Sequence, residues 1–407
     1  MTQADFAFNP FEPGFFTDPY SRYDVLRETS PVNQTLMGPW LLTRYDDCVK
    51  LLRDPTLSVE PTNSASSERE EMIAAVLGTD EVLNRGSRAI LNIDPPDHDR
   101  LRRIFSKAFT PRLIEDLRPL ARQLVDEALD AVEARGEMDV ISDLAFPLPF
   151  TIISEMLGVP TENRDELRDW SHALVKTLDP IISEDEIRAA FAAATSIQEH
   201  VTELIEQKRR KPDGGLISAL LAAEDDGAVF DENELMDQVV LLYVAGHETT
   251  VNLIGNGLFA LLSHPEQADR VRTDPEIEQN AVEEILRFDS PVQFSRRITL
   301  EPIEIDGHHI DAGSFVLTGL GAANRDPAKW GPTASELDVG RVGAAQHLSF
   351  GSGIHHCLGA SLARLEAREV FGPLLRRFPN IALIDETPDH NGRMVLRGLN
   401  RLPVSLG

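Results

Sequence analysis

The residues with most chemistry to offer lie in one short stretch, Phe350-Gly351-Ser352-Gly353-Ile354-His355-His356-Cys357-Leu358-Gly359. Its glycines allow backbone conformations that bring the chain close to a flat partner. The run Ala360 to Ala367 reads as a helix. Cys357 therefore stands just before a helix amino terminus, where backbone N–H groups and the dipole favour thiolate over thiol. Such a thiolate could act as a nucleophile or a metal ligand. A nucleophile would need His355 or His356 as its base, and adjacent residues rarely turn their side chains toward one another. A dinucleotide loop would need glycine where His356 stands, and a strand before it.

A second constellation is Ala245-Gly246-His247-Glu248-Thr249-Thr250. It interrupts a pattern that predicts a helix from Glu232 to Leu262, ~46 Å long at the α-helical rise. Val239 to Leu262 is largely apolar all round, as in a central buried helix. Ionisable residues at its middle exclude a membrane span. Small residues let a bulky group approach the backbone, and an acid beside an alcohol can relay protons. The plainer reading is a helix contact with a satisfied polar pair. The zinc-protease pattern HExxH fails, because Val251 stands where the second histidine should be. Glu284 and Arg287 are one turn apart on a helix ending near Ser290-Pro291; on a surface they would be a solvated ion pair worth a few tenths of a kcal/mol.

The elements that must position these groups are mostly helical. Leu113 to Ala134, Arg164 to Lys176 and Glu184 to Lys208 carry amphipathic periodicity. The last runs into Lys208-Arg209-Arg210-Lys211, read as cations in a final turn. Strand signals cluster at Trp40 to Thr43 and at Ile303 to Gly307, the start of a hairpin. Glu60 to Arg88 reads as a long loop with a short helix. Length suggests two or three domains at ~150 residues each. With no linker or repeat, one large, mainly helical domain over residues 1–407 is expected.

Composition narrows the function classes. Of 407 residues 42% are hydrophobic and 26% charged, as in an ordinary globular protein. A formal net charge of −28 argues against nucleic acid or anionic membrane as partner. Two cysteines exclude a disulfide framework and a four-cysteine zinc site, and fit a reducing cytosol. Cys48, in the helical stretch Tyr45 to Leu52, reads as a buried packing residue. No secretory signal is visible at Met1-Thr2-Gln3-Ala4-Asp5, so a cytoplasmic location is expected.

The phenylalanine, glycines and cysteine of the 350–359 stretch resemble the haem-binding signature of the cytochrome P450 family. Ala245 to Thr250 resembles that family's acid–alcohol motif, and Glu284-Ile285-Leu286-Arg287 its ExxR motif. The three follow the family's order, and the resemblance covers essentially the whole chain. Asp94 to Arg102 and Ala323-Asn324-Arg325-Asp326-Pro327 look like the soluble bacterial members. The resemblance implies a mainly α fold with small β-sheets, with haem b between the long central helix and the cysteine loop and helix. Cys357 would be the axial thiolate on iron, with Phe350, Gly351, Gly359 and Ala245 around the cofactor. His98, Arg102, Arg297 and His355 would hold the two propionates, His98 and Arg102 being four apart and so on one helix face. His355 departs from the arginine many relatives carry there.

By the same resemblance, Glu248 and Thr249 would deliver protons in the oxygen step, glutamate replacing the aspartate of many relatives. Glu284 and Arg287, tied to Arg341, would be scaffold. Substrate would meet Gly86, Leu91, Leu241, Val244, Ala245, Gln293, Phe294, Ser295 and Met394, mostly apolar groups suited to a hydrophobic molecule. The reaction implied is insertion of one atom of O2, by hydroxylation or epoxidation. With no flavin or iron–sulfur motif in the chain, electrons would come from a ferredoxin and its reductase, docking near Arg100, Arg103, Lys107 and Arg364. A monomer is expected. The competing class is a non-catalytic haem sensor or carrier, against which the Glu248-Thr249 pair argues.

Overall fold

The computed structural model describes residues 8–66, 68–78, 88–160, 164–180, 182–223, 227 and 229–407. The central helix runs from Glu232 to Leu262, the bounds its periodicity predicts. Leu253, Ile254, Leu258 and Leu261 are buried along it, as are Asn252 and Asn256. Asn256 Nδ2 donates to Arg397 O at 3.0 Å. The expected helix from Leu113 to Ala134 is instead two, Pro111–Asp116 and Arg118–Glu133. Pro119 is the reason: it has no N–H, clashes with the preceding turn, and suits the first turn of a new helix.

The chain divides into two compact units. One comprises Ser58–Asp116 and Pro149–Glu248. It contains the helix Asp97–Ala108, which buries Leu101, Ile104 and Phe105. The helix Arg164–Val175 is followed by a 3₁₀ turn, Lys176–Leu178, and packs on Glu184–Arg210. Ser183 and Glu186 close a capping box at the start of the latter helix. At its end Lys208 pairs with Asp213, and Arg209 with Glu206 at 2.9 Å, so the basic run is a paired helix terminus.

The other unit comprises Met1–Leu57, Leu117–Leu148 and Thr249–Gly407. Its main sheet has five strands in the order Val32–Gln34, Trp40–Leu42, Phe315–Gly319, Phe294–Thr299, Leu57–Ser58. Trp40 pairs with Val316 in parallel, and Arg297 with Val316 antiparallel. The expected hairpin joins Ile303–Ile305 to His308–Ile310 through Asp306 and Gly307, both at positive φ. Cys48 is fully buried in the core beneath this sheet, with its Sγ 3.4 Å from Leu42 O. Burial pushes its thiol well above the usual range, so it is a packing residue. Among the described residues no helix is long and apolar enough to cross a membrane.

Candidate active site

Glu284 and Arg287 are both completely buried on the helix Glu278–Phe288. Arg287 Nε donates to Glu284 Oε2 at 2.7 Å and Nη2 to Oε1 at 2.8 Å. The remaining guanidinium hydrogens go to Asn324 O, Ala334 O and Glu336 O at 2.7–2.8 Å. Arg341 Nε reaches both oxygens of Glu284 at 3.0 and 3.1 Å. Asp338 N–H donates to the same carboxylate at 2.9 Å. Burial rules out a solvated surface pair. One carboxylate and two guanidiniums fix the backbone from Asn324 to Arg341, the segment leading into the cysteine loop.

That loop is fastened in turn. Leu348 N–H donates to Asn324 Oδ1 at 2.7 Å, and Ser349 Oγ to Leu286 O at 2.7 Å. Gly351 N–H donates to Leu348 O at 2.7 Å and Cys357 N–H to Phe350 O at 2.9 Å. Gly353 has φ +72, and a Cβ there would come within 2.6 Å of Leu52 O, so no other residue fits. The helix Ala360–Arg377 begins directly after Gly359. Cys357 is exposed at the end of this rigid loop, unlike Cys48. Behind it Phe350 lies against the Arg364 guanidinium, 4.5 Å from the ring centre, and tilts against His347 and His356.

Arg297 and His355 belong to the same unit as Cys357. Arg297 is buried in the strand Phe294–Thr299, and its guanidinium rests on the neutral oxygens Leu52 O at 3.3 Å and Arg296 O at 2.7 Å. His355 is half-buried in the 3₁₀ turn Gly353–His355. In the other unit, His98 is buried and Arg102 half-buried on the helix Asp97–Ala108, one turn apart. Within its own unit, the Cys357 thiol together with Arg297 and His355 fits haem. Among the described residues no group of three or more His, Cys, Asp or Glu could hold a bare metal ion. A single presented thiol suits iron that brings its other ligands in a macrocycle, and the buried Arg297 guanidinium suits one of the macrocycle's acid groups.

On the central helix, Ala245 is exposed, Glu248 buried and Thr249 half-buried. Gly246 serves packing: a Cβ there would meet Ile153 Cδ1 at 3.2 Å. His247 is wholly buried, its Nδ1 3.0 Å from Tyr243 O and its ring edge-on to Phe150. Burial lowers it to about 4, so it is neutral at pH 7.

A cytochrome P450 family model matches residues 66–397. The chain is 40% identical to cytochrome P450 107B1 of Saccharopolyspora erythraea, covering 98% of this chain and 97% of the relative. This chain belongs to the cytochrome P450 family. It is also 40% identical to the vitamin D(3) 25-hydroxylase of Pseudonocardia autotrophica, over 98% of this chain and 96% of that one. Among solved structures, the Bacillus subtilis 168 bacillaene polyketide synthase P450 PksS superposes with a TM-score of 0.88 at 37% identity, over 98% of this chain and all of the other. The protein is thus a P450 monooxygenase of the bacterial type, and its family implies haem iron with a thiolate ligand. The non-catalytic sensor or carrier is set aside.

The P450's expected substrate contacts are placed as follows. Leu91 is exposed at the end of the turn Ile90–Asn92; Leu241 and Val244 are half-buried on the central helix. Gly86 lies outside the described residues. Gln293, Phe294 and Met394 are buried, and the last two pack with Phe8, Tyr20 and Tyr23. The Gln293 amide is engaged inside the protein: it accepts from Tyr23 Oη at 3.1 Å and donates to Ser290 O at 2.6 Å. Ser295 Oγ lies 3.5 Å from Arg297 Nη1.

Two features of this P450 were not visible in its sequence. Arg100 and Arg364, expected near a docking patch, are half-buried and carry ion pairs, Arg100 to Glu234 and Arg364 to Glu283. Arg103 and Lys107 are exposed. The second feature is Glu366, buried on the helix after the cysteine loop. Neither carboxyl oxygen has a hydrogen bond of good geometry, and Thr250 of the central helix is the hydroxyl facing it. Burial pushes Glu366 up to about 8, against the smaller effect of Thr250. Position on a helix face was the only signal, and it does not distinguish a buried acid from a solvated one.

Proposed function

We propose that this P450 hydroxylates or epoxidises a hydrophobic small molecule, with Cys357 as the thiolate that would hold the iron of haem b. The observation that carries the reading is the single cysteine thiol presented at the end of a loop held by Asn324, Ser349 and the Glu284 network. Bound there, a thiolate-ligated haem supplies the chemistry that splits dioxygen and inserts one of its atoms. His98, Arg102, Arg297 and His355 would hold the propionates as hydrogen-bond donors to their carboxylates. Phe350, Gly351, Gly359 and Ala245 would flank the ring.

Glu248 takes protons from solvent and passes them to Thr249 Oγ1, which would hold them for the oxygen step. His247, neutral and bonded to Tyr243 O, stays out of that exchange. Leu91, Leu241 and Val244 offer the substrate apolar surface, with Gly86 beside them in sequence order. Gln293, Phe294, Ser295 and Met394 are the further substrate contacts that the family resemblance implies. A ferredoxin and its reductase supply electrons, docking near Arg103 and Lys107, and the enzyme works in the cytoplasm as a monomer.

The reaction is tested with the haem-loaded chain, a surrogate ferredoxin and reductase, and a panel of sterols, fatty acids and macrolactones under isotopically labelled dioxygen. A product carrying one labelled oxygen is expected. Oxygen taken from water instead would overturn the assignment.

A further inference from the structure

One face of the central helix carries Glu234, Asp237, Gln238, Leu241, Val244, Ala245 and Glu248, which recur with the helical period. Its first two turns hold a strip of backbone. Gln238 is completely buried and makes a reciprocal pair of bonds there: Nε2 donates to Arg88 O at 2.6 Å, and Oε1 accepts from Ile90 N–H at 2.8 Å. Arg88 N–H donates to Asp237 Oδ2 at 2.6 Å. Arg88 Nη2 reaches Glu234 Oε1 at 2.9 Å, and the same buried carboxylate takes Arg100 Nη1 at 3.2 Å. Two guanidiniums outweigh the burial of Glu234 and hold it below the usual carboxylate range.

An amide that accepts and donates on alternate residues of an extended strip acts as a strand edge does, and fixes register as well as distance. A slip by one residue would break both bonds and bury an unsatisfied carbonyl and N–H. The register decides where Ile90 and Leu91 lie along the helix. Ile90 is packed away, Leu91 is exposed, and Leu241, one turn beyond Gln238, is the next residue of the same face.

We propose that Gln238 is a specificity-determining positioning residue. By clasping Arg88–Ile90 to the central helix, it sets how large an apolar group can lie between Leu91 and the Leu241–Ala245 face. This rests on the proposed P450 site, because those residues matter to selectivity only if substrate lies there. Glu234 and Asp237 reinforce the clasp, and none of the three touches substrate.

The test uses the haem-loaded full chain and two iron-binding probes of different bulk, imidazole and 4-phenylimidazole, titrated by the Soret shift. Gln238→Leu keeps the reach and removes both bonds. It is expected to weaken 4-phenylimidazole about fivefold or more while leaving imidazole within about twofold, as loss of one or two hydrogen bonds implies. Trypsin should also cut faster after Arg88 in the variant. Equal effects on both probes, or none on either, would overturn the proposal. Should Gln238→Leu fail to fold, Asp237→Ala is judged by the same criteria from the half-exposed side of the clasp. A wild-type chain lacking a thiolate–haem spectrum would overturn the P450 site itself. Trypsin alone would then decide the clasp, and an unchanged cut after Arg88 would refute it.

Discussion

Arg364 Nε meets Glu283 Oε1 at 2.6 Å, and Nη2 meets Oε2 at 3.0 Å. The same carboxylate lies 3.1 Å from His347 Nε2, whose other ring nitrogen accepts Ser349 N–H at 3.1 Å. Burial alone would raise Glu283, but His347 and Arg364 outweigh it and hold the acid at about 2. Arg364 is therefore a strut between the helix that carries the ExxR pair and the helix after the cysteine loop. Its guanidinium also covers Phe350.

Arg364→Gln should accordingly destabilise the fold, by about 1–3 kcal/mol once partial exposure of the arginine is allowed for. Thermal melting at low and high salt checks this. A loss of melting temperature at both is expected. An unchanged melt with slower electron transfer at low salt alone would return Arg364 to the docking surface.

Glu284→Ala leaves the Arg287 and Arg341 guanidiniums without their shared carboxylate in a buried site. A loss of about 3–5 kcal/mol is expected, with failure to retain haem. Expression yield and haem-to-protein ratio report it. A variant that binds haem normally would show that the network is dispensable.

Thr249→Ala should leave the ferrous–carbon monoxide spectrum and substrate affinity unchanged and divert electrons to hydrogen peroxide. The measurement is product formed per NAD(P)H consumed, with peroxide assayed alongside. Unchanged coupling would contradict the proton role of Thr249.

Glu366 gives the pH prediction. The folded carboxyl, held at about 8, keeps its proton where the unfolded chain's, near 4.5, has lost it. The folded state thus binds more protons between those values, and stability falls as pH rises through that window. Glu366→Gln mimics the protonated acid and removes the loss. Its gain in melting temperature should grow between pH 5 and pH 8, by on the order of 2–5 °C. A gain that is flat with pH would mean that Glu366 ionises normally.

How much of this could be read from the sequence depended on how far each signal is local. The central helix announced its bounds because Glu232 to Leu262 keeps one period without a proline. The glycine spacing around Cys357 was legible because close approach permits no substitute at Gly353. The paired strands Phe294–Thr299 and Phe315–Gly319 were not, since the first carries Arg296 and Arg297 in succession and the second is short. Gly246 was read as room for a bulky partner, yet Ile153, 93 positions away, fills that room. Arg100, Arg364 and Glu366 share a cause: a charged residue on a helix looks the same in sequence whether its partner is water or a buried group far along the chain.

The most direct test of the account is the spectrum of the reduced, haem-loaded protein with carbon monoxide. Ligation of iron by the Cys357 thiolate predicts the strongly red-shifted Soret band of a thiolate-ligated haem, lost in Cys357→Ala. A Soret band without that shift in the wild type, or one that survives in Cys357→Ala, would contradict it.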